Sequence, residues 1–139
     1  VEQMILEESE EADFLWIEGQ GSILHPGYSG VTMALLHGSC AEMMILCHQA
    51  GRTIIDDNPA LPVTPLSEFM KLHEDLVKPL RPTKFVGIAV NTSALTEPQA
   101  LQYIADIEKE INLPTTDPVR FGAAKLVDSV LKSISSVNL

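Results

Sequence analysis

Three apolar runs in this chain end on side chains suited to ligand chemistry. They read FLWIEGQG from Phe14, CHQAGRT from Cys47 and VGIAVNTS from Val86. Their tips carry Glu18, His48 with Arg52, and Asn91 with Thr92. In an open parallel α/β sheet, such residues share the crevice beyond the carboxyl ends of the strands, where ligands bind. Glu18 beside Gly19 and Gly21 is suited to hold Mg²⁺, directly or through water, next to a phosphate that bare glycines let the backbone approach. The structural alternative is a solvated carboxylate at a strand end. Arg52 is suited to clamp a carboxylate or phosphate in bidentate fashion. Its alternative is an ion pair with Asp56 or Asp57.

Other candidates lie in loops. His25, in LHPGYSG, is placed to act as acid, base or substrate donor, or simply to hold a turn. Tyr28 and Ser29 follow it, and Ser29 also reads as the N-cap of the next helix. His48 reads as a substrate contact. Asn91 either reads a purine edge or caps a turn. Arg120, in DPVRFG, either reaches the ligand or pairs with Asp117. His37 and His73 read as helix-surface residues.

The elements that must position these groups follow from apolar spacing. The acidic opening is helical in pattern, with Val1, Met4 and Ile5 on one face. Asp13 to Ile17, Met43 to Cys47 and Phe85 to Val90 read as buried strands. A Gly- and Pro-rich loop from Gly19 leads to a short helix after Ser29. A loop with three prolines spans Asp56 to Pro65. Leu66 to Leu80 reads as a helix capped by Ser67 and ended near Pro79. Thr96 to Ile111 reads as a helix with Thr96 as cap, Pro98 in its first turn, and Leu101, Ile104, Ala105 and Ile107 facing in. A short edge strand and loop follow from Asn112, then a last helix from Ala123 to Ile134 with Leu126, Val127, Val130 and Leu131 facing in. Helices alternating with continuous apolar strands predict an α/β fold: a three-layer α/β/α arrangement with a mostly parallel sheet.

Bulk properties narrow the function. The chain has 139 residues, enough for one domain with a core. Its net charge of -10 argues against a nucleic-acid partner, since that affinity rests on Lys and Arg. No apolar run approaches the ~20 residues of a membrane span. The two cysteines, Cys40 and Cys47, have no metal-ligand spacing and read as small buried hydrophobes in a reducing cytoplasm. A small-molecule substrate is therefore expected, with a homo-oligomer compatible with the sequence. A helix that opens without a cap looks cut, so the chain is expected to be the C-terminal part of a longer protein. No GxxxxGK[ST], GxGxxG, GxSxG or HExxH motif occurs.

Taken together, ADFLWIEGQGSILHPGYSGVTMALLHG, CHQAGRT, VGIAVNTSAL and TDPVRFG closely resemble the C-terminal domain of a bacterial and archaeal uncharacterised-domain family. That domain looks like a P-loop NTPase of the dethiobiotin-synthetase type and follows a smaller Rossmann-like domain. The resemblance covers nearly the whole chain. It implies that residues 1–139 are the C-terminal part of a P-loop NTPase-like domain, with the phosphate loop and the Rossmann-like domain upstream of Val1. It implies that Glu18, in IEGQGS, helps hold Mg²⁺, that Gly19 and Gly21 match the neighbouring glycines, and that Asn91 lies near a nucleotide base. Some members are linked to D-glutamate N-acetylation. The resemblance thus implies a small-molecule N-acetyltransferase using acetyl-CoA, with Arg52 on a substrate carboxylate and His25 as base. Its alternatives are an ATP-dependent ligase or kinase acting on a small carboxylate, and a non-catalytic nucleotide-binding module.

Overall fold

The computed structural model describes residues 1–10, 12–55 and 58–137, without the side chains of 136 and 137. In chain order the elements are α1 (Glu2–Glu8), α2 (Ser29–Ser39), β1 (Met43–Gln49), β2 (Ile54–Ile55), β3 (Asn58–Pro62), α3 (Leu66–Val77), β4 (Lys84–Asn91), α4 (Glu97–Ile111), β5 (Thr115–Thr116) and α5 (Ala124–Val137). The α/β expectation holds. β1, β4 and β5 form a parallel sheet in the order β1-β4-β5, with β4 in the centre. β2 and β3 form a separate antiparallel pair within the Pro-rich segment.

The central strand explains how one apolar run serves two faces. β1 pairs Met44 with Phe85 but Ile45 with Gly87, so Val86 is an extra residue on β4. Such a bulge shifts the alternation of side chains by one. Phe85, Ile88 and Val90 therefore all join Leu46, Met70 of α3 and Ile107 of α4 in one core. On the other face, Gly87 gives α5 its seat. A Cβ there would lie 2.7 Å from the Leu126 side chain and 3.3 Å from the Pro114 carbonyl oxygen. Ser129 adds a hydrogen bond from its hydroxyl to the Val86 carbonyl at 2.6 Å. Helices thus cover both faces, giving the three layers.

Helix α4 begins as its sequence predicts. Thr96 caps it, and Gln99 Oε1 accepts from the Thr96 N–H at 3.0 Å, which closes a capping box. Its inner face differs by one position from the predicted one. Ala100, Ile104 and Ile107 are buried and Tyr103 is half-buried, while Leu101 and Ala105 are exposed. In α5, Leu126 and Val130 are buried, whereas Val127 and Leu131 are exposed, so the inward stripe is narrower than predicted.

Several expectations are corrected. Residues 14–17 form no strand, and Phe14, Leu15, Trp16 and Ile17 are all exposed, Trp16 at 68%. Apolarity signals a demand for burial, but a strand also needs a neighbour's N–H and C=O groups, and no described strand edge pairs with this run. Ser29 is the first residue of α2 rather than its cap. The preceding turn does the capping: the His25 carbonyl accepts from the N–H groups of Tyr28 and Ser29 at 3.0 and 2.8 Å. Ser67 does not cap α3, whose N-cap position is Pro65. Cys47 is exposed and Cys40 half-buried, so neither is a core residue. His37 and His73 are half-buried, with ring nitrogens 3.0 and 2.9 Å from the carbonyl oxygens of Leu76 and Phe69.

Candidate functional site

The carboxyl ends of β1, β4 and β5 open into a cleft of about 350 Å³. β1 contributes Cys47 and His48, and β4 contributes Ala89, Val90 and Asn91. Residues 117–120, just past β5, close the other side. The ladder sets this convergence: His48 pairs with Val90, Gln49 with Asn91, and Ala89 with Thr116. Of the residues singled out in the sequence, His48, Asn91 and Arg120 meet here.

Asp117 organises one wall, although it was expected only as a turn residue or an Arg120 partner. It is 2% exposed. Its Oδ2 accepts from the Thr92 backbone N–H at 2.9 Å and from the Thr92 hydroxyl at 2.5 Å. Its Oδ1 accepts from the N–H groups of Val119 and Arg120 at 3.0 and 3.1 Å. Burial pushes its pKa up, but these hydrogen bonds outweigh burial and hold it below the ordinary value. The Asp-Pro dipeptide signalled a turn; nothing in the sequence pointed to Thr92 as its partner.

Arg120 does not use Asp117 as a side-chain partner. Its Nη1 donates to the carbonyl oxygens of Thr92 and Leu95 at 3.1 and 3.0 Å and lies 3.3 Å from the Thr92 hydroxyl. The guanidinium thus ties the loop after β4 to the loop after β5 while lining the cleft. Asn91 caps its own turn, Oδ1 accepting from the Ser93 N–H at 2.9 Å, and it also lines the cleft.

On the β1 side, a His48 ring nitrogen, Nε2, lies 2.9 Å from the Tyr103 hydroxyl, and the two ring centroids are 6.2 Å apart. Burial first, and then the Arg52 guanidinium, hold the His48 pKa below its usual value. Arg52 itself is exposed in the turn after β1 and makes no ion pair with a described residue. Asp56 and Asp57, its predicted alternative partners, lie outside the described residues.

Glu18, Gly19, Gly21, His25 and Ser29 do not line the cleft. Glu18 is exposed; burial and then the Glu18 carboxylate push up the thiol pKa of Cys47, which lines the cleft. Among the described residues no group of three or more His, Cys, Asp or Glu side chains converges as a metal site. Mg²⁺ needs only one or two carboxylates when phosphates complete its shell, so Glu18 fits as a single ligand beside a bound phosphate and no more. Gly21 has φ +60°, and a Cβ there would lie 2.7 Å from Tyr28 Cβ; packing alone accounts for this glycine. A Cβ on Gly19 would meet nothing within 4 Å. His25 holds its own turn: Nδ1 accepts from the Gly27 N–H at 3.0 Å, and the ring packs on Tyr28 at 4.7 Å.

Residues 1–127 match a family described as a domain of unknown function, DUF1611_C, P-loop domain. A D-glutamate N-acetyltransferase from Tritonibacter scottomollicae is 44% identical over 119 residues, covering 82% of this chain and 34% of the relative. A protein of the same name from a Pseudoalteromonas species is 31% identical over 128 residues, covering 91% of the chain and 37% of the relative. The chain therefore spans about a third of these relatives. A crystal structure of a DUF1611 family protein from Anabaena variabilis superimposes with a TM-score of 0.90 at 42% identity, covering 94% of this chain and 39% of that one. No described helix is long and apolar enough to cross a membrane. The chain belongs to the DUF1611 family and is similar to its C-terminal P-loop domain.

Proposed function

We propose that the chain is the C-terminal part of an N-acetyltransferase that moves an acetyl group from acetyl-CoA to the amino group of D-glutamate. The name of the two relatives supports the acceptor and the reaction. The observation that carries the site is the meeting of His48, Asn91 and Arg120, from three separate segments, in one strand-end cleft. The cleft's apolar wall of Ala89, Pro118 and Val119, with Asn91 at its rim, suits the adenine end of the donor. Arg120 and Arg52 supply positive charge for its phosphates and for a carboxylate of the acceptor.

The chemistry is ordinary acyl transfer. The acceptor's ammonium group gives up a proton to a neutral base. The amine nitrogen then attacks the thioester carbonyl, a C–N bond forms, the C–S bond breaks, and the leaving thiolate takes up the second nitrogen proton, giving the amide and a free thiol. His48 is the cleft imidazole held neutral, which fits it for the base, whereas His25 is engaged in its turn. Mg²⁺, held by Glu18, would neutralise phosphate charge on a bound nucleotide.

The test uses the native full-length polypeptide with acetyl-CoA and either D- or L-glutamate, without ATP, following release of free thiol. Release specific to the D-enantiomer is the expected result. No release with either enantiomer overturns the reading. Glu18, whose charge acts on Cys47 of the cleft, favours the alternative, ATP-dependent activation of a small carboxylate, which the same protein would then reveal by phosphate release.

A further inference from the structure

We propose that Thr92 is a positioning residue for Arg120: its hydroxyl gives its one proton to Asp117, accepts from Arg120 Nη1, and so holds the guanidinium at the cleft for an anionic ligand. These contacts run in one direction only. A guanidinium has donors and no acceptor, an ionised carboxylate has acceptors and no donor, and a hydroxyl has a single proton. Thr92 Oγ1 lies 2.5 Å from Asp117 Oδ2 and 3.3 Å from Arg120 Nη1. Its proton therefore belongs to the carboxylate and a lone pair to the arginine. Hydrogen bonds hold the Asp117 pKa below its ordinary value, so the accepting end is ionised at neutral pH.

Burial makes the role one of positioning. Thr92 is 0% exposed, so its hydroxyl reaches a ligand only through Arg120. The carbonyl oxygens of Thr92 and Leu95 complete the seat, 3.1 and 3.0 Å from the same nitrogen. Nη1 carries two of the five guanidinium N–H groups. Among the described residues nothing accepts from the three on Nε and Nη2, and no carboxylate forms an ion pair with Arg120. Asp117 thus orients the guanidinium through a hydroxyl, without pairing with it directly. Arg120 is also the one Arg or Lys among the described residues that line the cleft. A seated, unpaired guanidinium is suited to take a phosphate or carboxylate in bidentate fashion. That coenzyme A supplies the anion rests on the acetyltransferase reading. The seating of Arg120 by Thr92 does not.

The experiment compares the native full-length polypeptide with its Thr92→Val and Thr92→Ser variants. Valine keeps the shape and removes the hydroxyl; serine keeps the hydroxyl and removes the methyl. Coenzyme A binding is read by calorimetry, and the Arg120 guanidinium by ¹⁵N side-chain resonances, assigned by their loss in Arg120→Lys. Expected in the parent are separate, slowly exchanging Nη signals. Thr92→Val should average them and raise the coenzyme A Kd about tenfold, the worth of one hydrogen bond to a charged group. Thr92→Ser should restore both, although its lost methyl lowers the unfolding midpoint. Binding that follows the unfolding midpoint rather than the hydroxyl overturns the proposal, as does a folded Thr92→Val with the parent's Kd. Failure of coenzyme A to bind the parent counts against the acetyltransferase reading. The Arg120 signals then decide alone: averaging in Thr92→Val supports the seating, and unchanged signals overturn it. If Thr92→Val does not fold, the Thr92 hydroxyl proton is read in the parent. Slow exchange with water and a cross-peak to the Arg120 guanidinium are expected, and exchange at the rate of a free hydroxyl overturns the proposal.

Discussion

Asp117 and Thr92 are locked together across the sheet edge: one carboxylate oxygen takes both the backbone N–H and the hydroxyl of a threonine that is fully buried. This pair holds the turn after β4 against the turn after β5, and the cleft lies between them. Removing the carboxylate leaves two buried donors on Thr92 without an acceptor. Since an unsatisfied buried group costs about 1–3 kcal/mol, Asp117→Ala is expected to lower stability by about 3 kcal/mol in urea denaturation. Thr92→Val should cost less, because it removes the hydroxyl along with its need.

The same contact predicts an acid dependence. The Asp117 pKa is depressed below its ordinary value of 3.8 in the folded chain. Stability from this group is therefore fully present above the unfolded value and is lost as pH falls through the folded one. Denaturation midpoints should decline from just below pH 4 downward. Asp117→Asn cannot titrate, so a midpoint series against pH should show a shallower decline in that variant.

Arg120 links three oxygens of the loop after β4 through a single nitrogen, Nη1. A lysine at this position offers one ammonium group, which cannot both tie that loop and present a planar fork to an anion. Arg120→Lys is expected to cost about 1 kcal/mol in stability and to weaken binding of coenzyme A by more than that. Calorimetric titration alongside thermal unfolding separates the two effects. Equal losses in both would make Arg120 a loop tie and nothing more.

Two neighbouring glycines should answer differently to the same change. Gly21 sits at φ +60° with Tyr28 against its missing side chain, so Gly21→Ala combines backbone strain with a clash and should cost about 1–3 kcal/mol. Gly19 has open space around it, so Gly19→Ala should leave the unfolding midpoint nearly unchanged. If backbone at Gly19 approaches a phosphate, that variant will instead lose nucleotide affinity at constant stability. No loss of either kind would leave Gly19 as an ordinary loop residue.

The sequence signalled what local rules control. Continuous apolar runs marked β1 and β4, and Thr96 as cap with Pro98 in the first turn marked the start of α4, whereas the Gln99 half of the capping box was not read. Alternation and capping act over a few residues, so they can be read in one dimension. The strand expected from Asp13 to Ile17 failed because an apolar run does not reveal which edge will pair with it. Asp117 was half hidden, since Asp-Pro predicts a turn while its hydrogen bonds reach back 25 residues to Thr92. Tyr103 was wholly hidden: within α4 it is one more large side chain, and its hydroxyl acquires meaning only where β1 ends. His48 and Asn91 were legible as candidates because polar residues end apolar runs there, and Arg120 because it follows an Asp-Pro turn. Their convergence came from the parallel register, which the alternation of strands and helices predicted in outline. Glu18, by contrast, acts on Cys47 of the cleft from a segment without regular structure.

Arg52 and His48 give the last prediction. Burial is the larger cause of the depressed His48 pKa, and Arg52 is the smaller. Arg52→Ala should therefore move the His48 pKa upward part of the way to its ordinary value of 6.5, as read from ring proton shifts against pH. The sign for stability follows. Between 6.5 and the folded value, the unfolded chain takes up a proton that the folded chain refuses, so the parent loses stability as pH falls through this window. Arg52→Ala narrows the window and should flatten that loss. If Arg52 also clamps the acceptor's carboxylate, the variant will raise the KM for D-glutamate about a hundredfold, in line with the loss of a charge-assisted bidentate contact. A changed pKa with an unchanged KM would leave Arg52 as an electrostatic neighbour of His48 and move the carboxylate clamp to Arg120.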